Sequence, residues 1–454
     1  MNKMITDQRF NEIQPLNLPE NSEYAFKTGS SLIQFQIPES PTLLLTKTLY
    51  LNGKLRLNRS TSTFTNPVFP NNVNNKGGGA YTMRLNERAG IHSLFENVTL
   101  SALGSGGQSL ESLNKPGSLL SVTNPLQNNQ ANFDGYLCGK DPALASREKL
   151  SAVALNTEVH FSIPIECGML KGVDTISLGQ NGVRGLEILL QLTSDSNAII
   201  CSEADKNDVF YSLNNLTLTY DLLHFDPETT AELERPKSGA FEFNSWSHQY
   251  NILNSSDSTL TLNLGTKKTL SVITSTIPSS HINNVDKDGF STDRFKNQTA
   301  GNFNTTADLN KYIVGKSGVR LPVDFEVVTE SQAENDRPEV ERIELLKESM
   351  NVEESARTLL SVNTENGLST KLDVDGNEVY SYKPAVSVEA QAKPVFAIAV
   401  NEDSLTESGR DFSTGTFTLQ LDTDLDGASP NALHTYSLSK HKLTYTPQGI
   451  AVSS

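Results

Sequence analysis

The sequence is poor in cysteine and tryptophan, and it contains no long apolar run. Its 454 residues include one tryptophan and only three cysteines, Cys138, Cys167 and Cys201. Widely spaced and odd in number, these cysteines match neither a disulfide framework nor a zinc site. No stretch approaches the roughly 18–20 apolar residues of a membrane span, and the start MNKMITDQRF lacks the apolar core of a secretory signal. We therefore expect a soluble protein without a membrane span, synthesised in the cytoplasm.

An excess of positive charge is also lacking. The formal net charge is −16, with 37 Lys plus Arg against 53 Asp plus Glu. Because a surface that binds phosphates needs clustered Lys and Arg, this balance argues against a protein that grips nucleic acid. It is compatible with a protein that encloses nucleic acid without binding it specifically.

Motifs of catalysis and metal binding are scarce as well. The segment GSGGQS at Gly104 has neither the spacing nor the βαβ context of a dinucleotide fingerprint or a nucleophile elbow. The one cation candidate is Asp422, Asp424 and Asp426 in DTDLDG, which repeats the opening of a calcium loop. Its twelfth position is Leu433 rather than Glu, so a solvated acidic loop is favoured there. We predict no catalytic residues and no cofactor, with this weak site as the only metal candidate.

The chain does contain a short internal repeat, which we call an echo. When Tyr211 is set against Tyr436, YSLNNLTLTY and YSLSKHKLTY match at six of ten positions. A shorter echo, Leu-Gln-Leu, precedes each copy at 190–192 and 419–421. Each half of the chain thus closes with the same order of strand, loop and strand, which indicates an internal duplication. Tyr220 and Tyr445 should then occupy matching places when the two halves are superposed.

Apolar alternation over short segments, separated by loops rich in Asn, Gly and Ser, predicts about eight strands in each half. The expected fold class is all-β, with two tandem eight-stranded jelly-roll barrels (a double jelly roll), short helices and long loops. The predicted parts are an N-terminal arm at 1–25, a first jelly roll at 26–225, a linker at 226–239 and a second jelly roll at 240–454. The second jelly roll carries a loop and helix insertion around 330–383.

Three local features are predicted within this plan. Asn52-Gly53 is expected to break the segment 42–57 into separate strands. The spacing of Leu110 and Leu113 predicts a short helix that Pro116-Gly117 ends. The segment 338–351 places apolar residues at helical spacing, with Glu and Lys on the other face, and predicts a second helix.

The layout resembles the double jelly-roll major capsid proteins of tailless icosahedral viruses, above all those of virophages and polinton-like viruses. The similar segments are the Gly-Gly turn and Leu-Glu segment at 106–114, the entry to the second barrel at 239–250 with Trp246 and Tyr250, and the C-terminal Pro430-Asn431 and Gly449-Ile450. One departure follows Asn114, where the family continues with aromatic residues and this chain has Lys115-Pro116-Gly117.

The resemblance implies a structural protein without enzymatic activity. Such proteins form homotrimers that act as pseudo-hexagonal capsomers, contact neighbouring capsomers, and tile an icosahedral shell with penton and minor capsid proteins. The virion, with the nucleic acid enclosed, is then the expected location. An alternative is a jelly-roll glycan-binding or viral attachment protein that uses Trp246 as a stacking platform. A jelly-roll enzyme ranks below both, because no metal pattern or carboxylate pair supports it.

Overall fold

Antiparallel strands dominate the described part of the chain. The computed structural model describes residues 5–19, 22–59, 83–85, 89–104, 106–127, 158–201, 209–285, 289, 309–321, 327–328, 368–372, 378–382, 395–399, 409–423 and 430–454. Strands up to residue 225 are β1 (Ile5–Ile13), β2 (Glu23–Tyr24), β3 (Leu32–Ile37), β4 (Leu43–Arg59), β5 (Met83–Arg84), β6 (Phe95–Ala102), β7 (Gln108–Asn114), β8 (Glu158–Pro164), β9 (Thr175–Ser177), β10 (Leu186–Leu192), β11 (Ile200–Cys201) and β12 (Val209–Phe225).

The later strands begin after the linker. They are β13 (Gly239–Leu253), β14 (Asp257–Leu262), β15 (Thr269–Pro278), β16 (Leu309–Lys316), β17 (Val319–Leu321), β18 (Val327–Val328), β19 (Leu368–Leu372), β20 (Glu378–Tyr382), β21 (Val395–Ala399), β22 (Phe417–Thr423), β23 (Asn431–Thr446) and β24 (Gly449–Ser453). The helices are α1 (Pro116–Gln127), α2 (Gly168–Gly172), α3 (Asp195–Ala198) and α4 (Pro227–Leu233), with 3-10 turns at Gly90–Leu94 and Ser279–His281. No helix in the described ranges is long and apolar enough to cross a membrane.

In the described residues, each half forms two main sheets, and each of these is built on a path of four strands. The first half has the orders β1-β12-β4-β8 and β3-β10-β6-β7, and the second half has β13-β23-β15-β21 and β14-β22-β16-β17. Short strands extend these paths, as β2 does beside β12 and β24 beside β23. The prediction of two tandem eight-stranded jelly rolls is confirmed.

Both sequence echoes fall on strands of matching position. Tyr211 and Tyr220 lie in β12, the second strand of its sheet, and Tyr436 and Tyr445 lie in β23, which is likewise second. The Leu-Gln-Leu segments belong to β10 and β22, each second in the other sheet of its barrel. The predicted duplication is therefore present in the topology of the chain.

Period-two alternation builds the core. In β10 the buried side chains are Leu186, Ile188, Leu190 and Leu192, while the residues between them are partly or fully exposed. Successive side chains of a strand point to opposite faces of the sheet, so this pattern buries one face only. Tyr211 adds hydrogen bonds to this core. Its hydroxyl donates to the carbonyls of Thr193 at 2.6 Å and Leu94 at 3.1 Å.

The predicted break at Asn52-Gly53 is wrong, since β4 runs through it without interruption. A Cβ atom on Gly53 would lie 2.5 Å from Cδ2 of Leu216 and 2.9 Å from Cζ of Phe161. The glycine therefore provides room for two core side chains and does not form a turn. An Asn-Gly pair has the same appearance in the sequence whether it forms a turn or lies in a strand where side chains approach closely.

The predicted helix around Leu110 and Leu113 is also wrong, because these residues lie in β7. Gly106 and Gly107 have φ of +71° and +77° and turn the chain from β6 into β7 as a hairpin. A register shift between Leu100 and Ser101 on β6 disturbs the strand period. Helical spacing of the two leucines thus arises in an irregular strand.

Pro116-Gly117 begins a helix instead of ending one. Helix α1 starts at Pro116, where the missing N–H of proline costs nothing because the first helical N–H groups have no partner within the helix. Lys115 precedes it with φ of +49°. The strand β7 and helix α1 therefore follow each other directly.

The N-terminal segment lies on the first barrel, since β1 pairs with the second half of β12 and the N–H of Leu16 donates to the carbonyl of Gln34. At the linker, Oδ1 of Asp226 accepts from the N–H of Thr229 at 2.8 Å and caps α4.

The predicted helix at 338–351 lies outside the described residues. So does the insertion around 330–383, apart from the ribbon formed by β19 and β20.

Candidate functional site at the junction of the two barrels

The two barrels meet through different faces. Strands β13 and β23 of the second barrel pack on β7, α1 and α2 of the first. Phe243, Tyr436, Leu443 and Ile450 of the second barrel belong to the same buried cluster as the core of the first. We call this contact the junction. Shared apolar burial of this kind makes the two barrels one packed body.

A buried carboxylate ties the junction together. Oε1 of Glu111 accepts from the N–H of Gly168 at 2.8 Å and from the hydroxyl of Ser245 at 2.7 Å, and Oε2 accepts from the N–H of Met169 at 2.8 Å. Ser245 lies in the second barrel and the other groups in the first. Burial raises the pKa of Glu111, and the three hydrogen bonds and the charge of Lys171 oppose this only in part.

Gly168 is required by the closeness of the two backbones. A Cβ atom at this position would lie 1.8 Å from the carbonyl oxygen of Asn244 on β13. Because no side chain fits, only glycine lets α2 approach the second barrel so closely. Its N–H then reaches Glu111, so one residue provides both the space and a hydrogen bond.

Further ionisable groups surround α2. Lys171 forms an ion pair with the buried Glu166, whose Oε1 also lies 3.8 Å from Nε2 of His92. Burial, followed by the charges of Glu111 and Glu166, raises the pKa of the Cys167 thiol well above its usual range. A thiol held in its neutral form is a poor nucleophile, so Cys167 acts here as a small apolar core residue.

A second polar cluster lies where β13 and β23 face the start of α1. Nε2 of His248 is 3.0 Å from Nδ1 of His434, and both rings stack, at centroid distances of 5.2 Å from each other and 4.7 Å from His248 to Tyr436. Tyr250 meets His434 edge-on. The hydroxyl of Tyr436 donates to the carbonyl of Lys115 at 3.0 Å and so crosses the junction.

Hydrogen bonds at the rim of the junction fix the remaining chain segments. Nη2 of Arg184 donates to the carbonyls of Thr446 and Pro447, at 3.2 and 2.8 Å. Oδ1 of Asn181 accepts from the N–H of Lys237, and its amide nitrogen donates to linker carbonyls. The linker is thereby held against the first barrel.

The predicted cation candidates do not form a described site. Asp422 lies within β22, paired with Lys311 and Asp257 on the neighbouring strands, whereas Asp424 and Asp426 lie outside the described residues. Across the described ranges no group of three or more His, Cys, Asp or Glu side chains is placed to hold a metal ion. A solvated acidic loop, with these three aspartates as a weak cation candidate, stays the prediction for this segment.

Trp246 packs against the buried cluster that the two barrels share and is half-buried on β13. This placement matches the packing interpretation rather than that of a ligand platform. Sequence reasoning missed Glu111 and the pair of His248 and His434. The available signal for Glu111 was a single acid between Leu110 and Leu113, and nothing local linked it to Ser245.

The fold has close counterparts among solved viral capsid structures. The Faustovirus major capsid protein is 10% identical, with a TM-score of 0.55 over 97% of this chain and 90% of that one. A chain of the Sputnik virophage structure is 9% identical, with a TM-score of 0.54 over 100% and 89%. The mavirus major capsid protein is 10% identical, with a TM-score of 0.51 over 98% and 90%.

No known family model matches the chain, and no curated protein sequence matches it. At such low identity the similarity establishes the fold alone. The resemblance predicted from the sequence is confirmed at that level: this chain has the double jelly-roll architecture of virophage and related capsid proteins.

Proposed function

We propose that this chain is a major capsid protein whose homotrimers act as pseudo-hexagonal blocks of an icosahedral viral shell. The proposed parts are the arm at 1–25, which adds strand β1 to a sheet of the first barrel, the first jelly roll at 26–225, the linker at 226–239 and the second jelly roll at 240–454. The proposal places the protein in the virion, synthesised in the host cytoplasm and without enzymatic activity. Its partners are further copies, penton proteins and minor capsid proteins around an enclosed genome.

One observation carries the proposal, namely that two equivalent barrels meet through unlike faces. The first barrel offers β7, α1 and α2, and the second offers β13 and β23. By strand order β1 and β12 are the counterparts of β13 and β23, and β17 is the counterpart of β7. When two equivalent barrels meet through different faces, each barrel keeps one of its two contact faces free. Further copies of the chain can repeat the same contact through these free faces, which closes a ring or extends a filament.

Three chains would place six barrels in such a ring. The unused faces carry exposed apolar side chains, since Phe10 on β1 is 67% exposed and Val319 at the start of β17 is 64% exposed. Burial of these residues in a neighbouring copy would remove apolar surface from water. An assembly protein is expected to have this surface, and a monomeric binding module has no use for it.

Light scattering and negative-stain microscopy test the proposal. The purified protein is expected at three times its monomer mass of 49.6 kDa, as six-lobed particles. Phe10→Asp should yield monomers with an unchanged far-ultraviolet circular dichroism spectrum, because it places charge in the proposed subunit contact and not in a core. Leu32→Asp, at an exposed position of the other sheet, is the matched control and should remain trimeric. Monomers of the unmodified protein under all conditions would exclude the capsid function.

A further inference from the structure

Two histidines form the polar centre of the junction where it faces α1. His248 on β13 and His434 on β23 are neighbours across two paired strands, and their rings are joined by a hydrogen bond of 3.0 Å. His434 is buried and His248 is half-buried. Tyr436 continues the stack and hydrogen-bonds to the backbone of Lys115 in the first barrel. The two histidines thus belong to a continuous series of contacts that runs through Tyr436 to Lys115 in the first barrel.

This geometry requires at least one neutral imidazole ring. A hydrogen bond between two histidines needs one ring nitrogen to donate and the other to accept, and a protonated ring has two donors and no acceptor. One proton leaves a charged ring that can still donate to its neighbour. A second proton removes the acceptor and places two like charges within hydrogen-bonding distance.

The surroundings do not compensate for positive charge. The ionisable groups that face the pair are Tyr250 on β13, Tyr436 on β23, and Lys115 and Glu96 in the first barrel. Glu96 is already paired with Lys115, whose Nζ lies 2.7 Å from its Oε1. The carboxylate that could balance a histidinium is therefore shared with a permanent cation.

We propose that His248 and His434 form an acid-sensitive latch, which holds the second barrel on the first while both rings are neutral and releases the contact when both become protonated. The inference goes beyond the proposed capsid function and does not rest on it, because the latch and all groups that face it belong to one chain. In a shell of such chains, acid would loosen each subunit at its own junction.

The pKa values agree in sign with this mechanism. Burial, and then the neighbouring positive charges, lower the pKa of His248 to about 4 and that of His434 to about 3. In the unfolded chain both rings protonate near 6.5, so the unfolded state binds more protons below that pH. Stability conferred by the neutral pair is present above about pH 6.5 and declines as the pH falls towards 3–4.

Glu111 acts in the opposite direction at the same junction. Burial raises its pKa, so the folded state takes up a proton on this residue before the unfolded state does, and acid favours the folded form here. The acid response of the unmodified protein therefore combines two contributions. Only variants of the histidines isolate the latch.

Trp246 provides the readout. It is the sole tryptophan of the chain, lies on β13 two residues before His248, and packs against the buried cluster that the two barrels share at the junction. Opening of the junction should expose it and move its fluorescence to longer wavelength, before far-ultraviolet circular dichroism reports loss of the strands. The double variant His248→Gln, His434→Gln should lose this shift, and His160→Gln, at an exposed position on β8, should retain it.

Two results would overturn the latch. One is Trp246 emission that stays constant until the strands unfold, and the other is a double variant that shifts at the same pH as the unmodified protein. Nuclear magnetic resonance of histidine-labelled protein gives a measurement that does not depend on the variant folding. Both junction rings should titrate well below pH 5.5, and titration near 6.5 would contradict the proposal.

Discussion

Removal of the Glu111 carboxylate should destabilise the contact between the barrels. Glu111→Ala leaves the N–H groups of Gly168 and Met169 and the hydroxyl of Ser245 without their acceptor. A buried donor left unpaired costs about 1–3 kcal/mol. The serine hydroxyl can rotate to another acceptor, whereas the two N–H groups are fixed by the backbone of α2.

Two fixed donors set the magnitude. Their loss costs about 2–6 kcal/mol, and the desolvation of a buried carboxylate, which the variant no longer requires, offsets part of it. We expect a net loss of about 3 kcal/mol in the free energy of unfolding. In a cooperative unit of 150–250 residues, each kcal/mol lowers the melting temperature by about 2–4 °C, so the expected decrease is about 6–12 °C.

Urea denaturation followed by Trp246 emission, together with calorimetry, measures this loss. Glu111→Gln keeps the size and one carbonyl oxygen but presents an NH₂ group towards a fixed N–H donor, so it should fall between the unmodified protein and the alanine variant. Glu158→Ala is the control, because that carboxylate is solvent-exposed in an ion pair with Lys54 and its removal should leave the junction unchanged. An alanine variant within about 0.5 kcal/mol of the unmodified protein would refute the reasoning.

Two further substitutions probe the junction and the first core. Gly168→Ala should lower the free energy of unfolding by about 1–3 kcal/mol through overpacking against β13, whereas Gly449→Ala, where an added Cβ meets nothing within 4 Å, should not; equal melting temperatures for both variants would contradict the close approach. Tyr211→Phe leaves two buried carbonyls without their donor and should cost about 1–3 kcal/mol in urea denaturation. A neutral effect of this change would show that the phenol contributes through its ring alone.

The local pattern of apolar and polar residues was sufficient to predict the two barrels, but it was not sufficient to predict the contact between them. The alternation in β10 identifies its buried face without knowledge of any other strand, because the period of two is a property of the strand itself. Glu111 and Ser245 are 134 residues apart, and His248 and His434 are 186 apart. No local rule relates residues at such distances, so the junction becomes visible only when both barrels are placed.

Two of the local errors, the break at Gly53 and the helix after Gly107, share one physical source, which is that glycine serves several purposes. Gly53 marks a close approach of side chains in the middle of β4, and Gly106-Gly107 marks a true turn. From sequence the first resembles a turn and the second a loop before a helix. Only the neighbours of a glycine in the fold show whether it makes room for other side chains or forms a turn. For Gly53 these neighbours are Leu216 and Phe161.

Strands in matching positions of the two barrels serve different purposes. Tyr211 and Tyr436 lie in equivalent strands and are both buried, yet the first hydroxyl binds carbonyls within its own barrel and the second crosses to Lys115. The outer edge of β12 is covered by two separate strands, β1 and β2, whereas β13 pairs with β23 along its whole length. That continuous strand carries Ser245, Trp246 and His248 to the junction. The two barrels thus share one strand order, but β13 is longer than its counterpart β1, and the contact of the second barrel with the first depends on this longer strand.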